Sequence, residues 1–253
     1  MNVIPIGDNE QVKTVFEVQN LEQEDTFLVM ATRRGKIERL RLSAIASIRP
    51  SGLIMMKLKA GDDLVAVRLA KEEDDIIMVS EQGMSIRFPV SAVTPHHRGA
   101  AGVRGMVLRA NDRVVSMDVG DEESKLLVIS KLGYGKLTLL SKYRRQGRAG
   151  FGIKTFSITK KTGKVAAAAI IEDSKEVYVV SEQAQVLRTS LSEIRSIGRV
   201  TQGVTIFKPQ PGDSVSSIAC VKSLESIEES KNPAPKPSTN GKGNGQLPLN
   251  GID

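Results

Sequence analysis

Residues 126–143 read LLVISKLGYGKLTLLSKY. An apolar run ends at Ser130, two residues lead to Gly133, and a second run comes next in which apolar residues alternate with others. Each run has the length of a strand, and Gly133 supplies the positive φ that a tight turn between strands requires. Alternating and β-branched residues fit a pleated, half-buried surface, so the stretch reads as a β-hairpin.

The pattern occurs three more times, as FLVMATRRGKIERLRLSAI (27–45), IIMVSEQGMSIRFPVSAV (76–93) and VYVVSEQAQVLRTSLSEI (177–194). Thr32, Ser80, Ser130 and Ser181 close the first runs at spacings of 48, 50 and 51 residues. The turn residues are Gly35, Gly83, Gly133 and Ala184; because alanine tolerates positive φ poorly, a different turn is expected in the fourth hairpin. A second series, Gly52, Gly102, Gly152 and Gly203, is spaced by 50, 50 and 51 residues and precedes extended runs at 53–58, 103–108, 153–158 and 204–209. Polar turns come after these at Gly61-Asp62-Asp63, Asn111-Asp112, Thr162-Gly163 and Gly212-Asp213. Apolar runs then close the units at 64–70, 114–119, 165–171 and 215–221.

Each unit of about 50 residues therefore predicts four short strands, the signature of a propeller-like radial array; a β-helix would repeat at a much shorter period. The array is expected over 1–223, with repeats at about 27–75, 76–125, 126–176 and 177–223. Residues 1–26 read as part of a further unit, with a turn at Gly7–Glu10 and a strand over Val12–Val18. Residues 224–253 are rich in Ser, Pro, Gly and Asn with little to bury, and read as a disordered tail.

Charge is distributed unevenly. The net charge is +7, but residues 1–26 hold six acids against one lysine, and the middle of the chain, 27–223, carries +13. A basic middle favours a polyanionic partner. The single cysteine, Cys220, excludes an internal disulfide framework and reads as core filler. No apolar run approaches the roughly 18 residues of a membrane helix, and the acidic N-terminus lacks the pattern of a secretion signal, so a cytoplasmic location is expected.

The segment 144–155, RRQGRAGFGIKT, resembles a nucleotide loop, with Gly147 and Gly152 at phosphate-loop spacing. Ile153, however, separates the second glycine from Lys154-Thr155, and Gly152 belongs to the repeating glycine series. Residues 153–159 also read as strand, not as the helix that a phosphate loop must open. The equivalent loops are basic too: Arg49 in the first, His96-His97-Arg98 and Arg104 in the second, Arg195 and Arg199 in the fourth. Charge recurring at one position of a radial array lies along one rim, where Lys and Arg can neutralise phosphates without reading bases. On that basis the candidate phosphate contacts are Arg33, Arg34, Arg49, Arg98, Arg104, Arg144, Arg145, Arg148, Lys154, Arg195 and Arg199. His96 and His97 lack metal-spaced partners and read as exposed turn residues, with phosphate contact as the second reading. Tyr134, Tyr143 and Tyr178 occupy repeat positions and read as structural.

Three stretches resemble the repeats of the C-terminal domain of the bacterial DNA gyrase A subunit, the β-pinwheel: SIRFPVSAVTPHHRGAAGVRGMVL (85–108), ISKLGYGKLTLLSKY (129–143) and RTSLSEIRSIGRVTQGV (188–204). RGAAGVRG and GRVTQGV are the most specific pieces, and the likeness covers about 2–221. The resemblance implies an all-β pinwheel of four-stranded blades joined by strand exchange, with a basic outer edge that bends and wraps duplex DNA. In the complete enzyme its partners are the B subunit, together with the rest of the A subunit, and ATP-driven strand passage introduces negative supercoils. ATP and magnesium are bound elsewhere in that enzyme, so no cofactor, metal or catalytic residue is expected in this chain, and its location is the bacterial cytoplasm, with the nucleoid. The family has six blades as a rule; the units here resemble the last four, so the chain is expected to be a fragment. The family's basic glycine box, Gln-Arg-Arg-Gly-Gly-Arg/Lys-Gly, lies in its first blade, and Arg144–Gly150 resembles a degenerate copy in a later one. Two alternatives stand beside this reading. One is the C-terminal domain of the topoisomerase IV A subunit, which decatenates more than it supercoils; the other is a propeller whose basic edge meets an acidic protein.

Overall fold

The computed structural model describes residues 11–15, 18, 20–47, 52–171 and 174–221. Gly7–Glu10, Arg49 and the tail 224–253 lie outside the described residues. The architecture is all-β. In chain order the strands are β1 (Phe27–Thr32), β2 (Lys36–Arg41), β3 (Leu64–Ala70), β4 (Asp75–Ser80), β5 (Met84–Pro89), β6 (Val103–Arg104), β7 (Val114–Gly120), β8 (Lys125–Ser130), β9 (Tyr134–Leu139), β10 (Ile153–Lys154), β11 (Val165–Ile171), β12 (Glu176–Ser181), β13 (Val186–Ser190), β14 (Val204–Thr205) and β15 (Val215–Val221). They form antiparallel sheets in the orders β3-β1-β2-β6, β10-β5-β4-β7, β11-β8-β9-β14 and β13-β12-β15.

The four hairpins and the four closing apolar runs form as the sequence predicts. The remaining strand of each unit does not. The runs at 103–108, 153–158 and 204–209 contribute only two residues of strand each, and in the first unit Met56 makes a single bridge to Ala100. Those two residues pair with the preceding unit: Lys36 opposes Arg104, Met84 opposes Lys154 and Tyr134 opposes Thr205. Each of the first three blades is thus completed by its successor, which is the strand exchange that the resemblance implies. Beyond the pairing the chain turns inward and buries Met106, Phe156 and Phe207 between blades, which removes their apolar surface from water.

Of the strand expected over Val12–Val18, the described residues 11–15 and 18 form none. Val12 and Val15 are exposed, and Val15 lines a cavity with Arg68, Asp118, Ile170 and Ala219 instead of pairing with a sheet edge. Without an edge to satisfy its backbone, an extended run gains nothing by becoming a strand.

The repeated Ser/Thr has a local function. Its hydroxyl accepts the backbone N–H four residues on, from Lys36 to Thr32 (3.2 Å), Met84 to Ser80 (3.3 Å), Tyr134 to Ser130 (3.2 Å) and Gln185 to Ser181 (3.0 Å). Asp62, Asp112 and Asp213 brace the same turns by accepting the N–H of Arg34, Gln82 and Gln183. The fourth hairpin differs from expectation: Ala184 adopts φ +63°, close to the +78°, +76° and +77° of Gly35, Gly83 and Gly133. Its N–H closes the same turn on the Ser181 carbonyl (3.1 Å). The difference lies in the surroundings. A Cβ on Gly35, Gly83 or Gly133 would stand 2.6, 2.6 or 1.9 Å from the carbonyl oxygen of Met106, Phe156 or Phe207 in the next blade's docked run. Among the described residues no run docks on the fourth hairpin, so alanine meets only the backbone penalty.

The core sits between blades. Val29, Ala31 and Ile37 pack on Ile76, Met78, Phe88 and Met106; Ile77 and Val79 pack on Leu126, Val128, Leu140 and Phe156; Leu127 and Ile129 pack on Val177, Val179, Leu191 and Phe207. Buried arginines fasten the outer edge. Arg39 donates to the carbonyls of Val90 and Val93 in the next blade (both 3.1 Å), and Arg87 to those of Leu140 and Tyr143 (both 3.0 Å) while its Nε binds Asp75 (2.7 Å). Leu137 holds the position in the third blade. In the fourth, Arg188 has no neighbour to fasten among the described residues and pairs within its own blade with Glu176 (2.6 Å).

Candidate nucleic-acid interface

In the second, third and fourth repeats the loop that leaves the second strand carries a cation four residues before the recurring glycine: Arg98, Arg148 and Arg199. Arg104 and Lys154 stand two residues after it. The fold brings these two positions together across blade junctions. Arg148 Nη1 donates to the carbonyl of Arg104 (3.2 Å) and its Nε to that of Ala92 (3.0 Å). One junction further, Arg199 Nη1 donates to the carbonyl of Lys154 (3.1 Å). Arg104, Arg148 and Lys154 remain exposed and Arg199 half-exposed, so the two bridging guanidinium groups are fixed by backbone without being neutralised. The result is a line of cations passing from blade to blade. Lys36, opposite Arg104 on β2, joins that line; sequence reading missed it, and only the exchanged register reveals it.

Arg144 and Arg195 occupy one repeat position and are exposed. Arg98 lines a cavity of about 600 Å3 with Arg41, Ser43, His96 and His97. His96 is not the free turn residue that the sequence suggests: its Nδ1 lies 2.8 Å from Oε1 of Glu38, a fully buried carboxylate. Arg145 also departs from expectation. Its Nε stands 2.8 Å from Oδ1 of buried Asp75, so its charge serves that carboxylate. Arg33 and Arg34 line a separate recess at the hairpin ends with Arg113, Lys131, Lys164 and Glu81, and Arg33 lies 3.6 Å from Asp63. Burial works against the charge of Glu81, but Lys164 (3.1 Å) and Arg113 (2.8 Å) together hold its carboxyl below the usual range.

One buried position beneath the outer loops recurs with changing chemistry. Glu38, Ile86 and Lys136 each lie six residues after the hairpin Ser/Thr. Glu38 reaches His96 of the next blade, and Ile86 lies against Gly150. Lys136 donates to the carbonyl of Gly198 (2.7 Å), that of Arg199 and the hydroxyl of Thr201 (3.0 Å). Among the described residues no carboxylate pairs with this ammonium; burial, then the nearby Arg199 guanidinium, pushes its pKa down to about 7. Lys136 thus holds the loop that presents Arg195 and Arg199.

The remaining polar groups are structural. Tyr143 Oη shares a 2.6 Å hydrogen bond with Thr155 Oγ1, and burial raises its pKa. Cys220 packs against the core between the last two blades; burial, with Asp118 as the next cause, pushes its thiol up to about 11. The nucleotide-loop reading of 144–155 fails on geometry: Gly152, at φ +73°, leads directly into β10, and a Cβ there would lie 2.2 Å from the Ser85 carbonyl. No group of three or more metal-ligating side chains occurs among the described residues, and no helix among them is long and apolar enough to cross a membrane.

Strand-exchanged blades with interblade cores and a cationic outer edge define a β-pinwheel. The family model described as the DNA gyrase C-terminal domain, a β-propeller, matches residues 26–71, 74–121, 124–172 and 175–222, and the chain belongs to that family. The DNA gyrase A subunit of Dehalogenimonas lykanthroporepellens is 36% identical over 225 residues, covering 87% of this chain and 28% of the relative. The DNA gyrase A subunit of Staphylococcus aureus is 36% identical over 234 residues, covering 92% and 26%. The chain spans about a quarter of the length of these relatives. A solved DNA gyrase A C-terminal domain superposes with a TM-score of 0.77 at 28% identity, over 86% of this chain and 72% of the other. A topoisomerase IV C-terminal domain superposes at 0.81 with 22% identity, over 91% and 74%, a likeness of fold.

Proposed function

We propose that this chain binds duplex DNA along its outer edge and bends or wraps it, acting as the C-terminal domain of a gyrase A subunit. The observation that carries this is the ladder of backbone-fixed cations, Arg148 on Arg104 and Arg199 on Lys154. Fixed cations at a regular interval suit a ligand whose charge is itself regular, and the sugar–phosphate backbone is such a ligand. Curvature of the edge then sets the bend, and the added protein–DNA interactions offset the elastic cost of bending. Arg98, Arg104, Arg144, Arg148, Lys154, Arg195 and Arg199 are the proposed phosphate contacts. Arg33 and Arg34, in the separate recess at the hairpin ends, are proposed as further phosphate contacts, as is Arg49.

In the assembled enzyme the partners are the B subunit, together with the rest of the A subunit. ATP and magnesium are used there, and this chain supports negative supercoiling without being an enzyme by itself, in the cytoplasm with the nucleoid. The test is topological. A closed plasmid is relaxed by a type I topoisomerase with the chain bound, then stripped of protein. Retained positive supercoils are expected. Absence of salt-sensitive duplex binding, with no change in linking number, would overturn the reading in favour of a protein-interaction surface, whereas salt-sensitive binding without retained supercoils would limit it to bending.

A further inference from the structure

Among the described residues, Phe151 is the one phenylalanine or tyrosine that stands exposed, at 53%. The fold does not require an aromatic there, because the equivalent positions of the neighbouring repeats hold Ala101 and Gln202. Its backbone is nevertheless rigidly set. The carbonyl of Gly150 accepts the Val107 N–H (2.9 Å), Ala149 N–H donates to the Gly105 carbonyl (2.7 Å), and Gly152 packs on the neighbouring hairpin. The ring therefore projects from a platform clamped on both sides. Cations surround it: Arg148 precedes it by three residues, Lys154 follows by three, and the Arg109 guanidinium lies 5.9 Å from the ring centroid.

We propose that Phe151 is a wedge that enters a base step of bound duplex DNA from the minor groove and fixes the place where the duplex bends. The inference rests on the DNA-binding reading above and deepens it. Phosphates of both strands border the minor groove, so a ring flanked by cations is brought to that groove by the same charges that hold the backbone. Apolar side chains inserted between base steps unstack them and kink the duplex, and bending then lets more protein surface reach DNA. Burial against bases also removes from water the half of this apolar side chain that stays exposed in the structure. Since the neighbouring repeats carry alanine and glutamine at this position, the kink is placed at the junction of the second and third blades and is not spread evenly along the edge.

The chain contains no tryptophan, so Phe151→Trp installs a single emitter at the proposed step. The experiment measures its emission on saturation with a short duplex, together with the end-to-end distance of a doubly labelled duplex. Quenching of the tryptophan emission is expected, with the wild-type bend kept. Phe151→Ala, at an exposed site that should leave the fold intact, is expected to bind roughly 10-fold more weakly and bend less. Unchanged emission at saturation, or a full bend with the alanine variant, would overturn the wedge while leaving DNA binding intact. Failure of the unsubstituted chain to bind any duplex would overturn the underlying reading, and the wedge with it.

Discussion

Arg148 donates to the carbonyl oxygen of Arg104 across a blade junction at 3.2 Å, so its guanidinium is held by backbone and not by a carboxylate, on a residue that carries a second exposed cation. Two exposed cations on neighbouring blades, with no carboxylate assigned to either among the described residues, suit an anionic ligand. Reversing both, Arg104→Glu with Arg148→Glu, should weaken duplex binding by roughly 100-fold at moderate salt and lower the slope of log K against log salt by about 2. Titrations across a series of salt concentrations would show it. An unchanged slope would remove both residues from the phosphate-contact set.

Arg145 should behave differently although its neighbour in sequence is a proposed contact. Its charge serves Asp75, which Arg87 also holds. Arg145→Ala is expected to leave the salt slope within error of wild type, whereas Arg87→Met, which strips the buried carboxylate of its main partner, should cost about 3–5 kcal/mol in urea unfolding. Arg188→Met, at the same repeat position but exposed, should leave the unfolding midpoint unchanged.

The sequence made the period, the hairpins and the inner strands legible because each is a local pattern repeated four times. Local pattern did not reveal which sheet receives the short outer strand; exchange between neighbouring blades is implied only by the family resemblance. Val103-Arg104 could pair within its own repeat or with the one before, and alternation alone does not distinguish them. The decisive contact, the carbonyl of Gly35 accepting the N–H groups of both Gly105 and Met106, joins residues far apart in sequence. The basic rim was legible as recurrence, but the neutralisation of Arg145 and the capture of His96 by Glu38 were not, because their partners lie in other blades. A signal existed for part of this: an arginine recurring seven positions after the hairpin Ser/Thr, at Arg39, Arg87 and Arg188, in the second strand of three of the four hairpins. An arginine placed there in the middle of an array is a fastening for the next blade.

The turn glycines give a paired test. Gly133→Ala would press a Cβ to within 1.9 Å of the Phe207 carbonyl while also incurring the positive-φ penalty. A loss of about 2–4 kcal/mol is expected, confined to the docking of the fourth blade. Ala184→Gly removes only the backbone penalty and should gain about 0.5 kcal/mol. Urea unfolding of both variants, with hydrogen exchange at Ile206 and Phe207, would separate the two effects.

Lys136 makes stability depend on pH. Its pKa is lowered from 10.5 to about 7 in the native chain, chiefly by burial. Between those values the unfolded chain keeps a proton that the native chain has released. Native stability therefore rises with pH across that window, by at most about 1.4 kcal/mol per pH unit from this group. Lys136→Met should flatten the rise between about pH 7 and 9, seen as the difference between the two unfolding profiles. It should also speed exchange at the amides of 197–201, whose loop loses its anchor.

Completion of the first three blades by their successors has a consequence during synthesis. Ser85 Oγ and the carbonyl of Ile153, which meet at the second blade's outer edge, are 68 residues apart. A ribosome adding about 5–20 residues per second needs several seconds to deliver the second after the first. Throughout that interval the newest hairpin has an unclosed edge, and a nascent chain beside it on the same message has one of the same shape. Order of emergence, with each blade waiting for the next, protects the array only if elongation keeps pace with the tendency of like edges to pair.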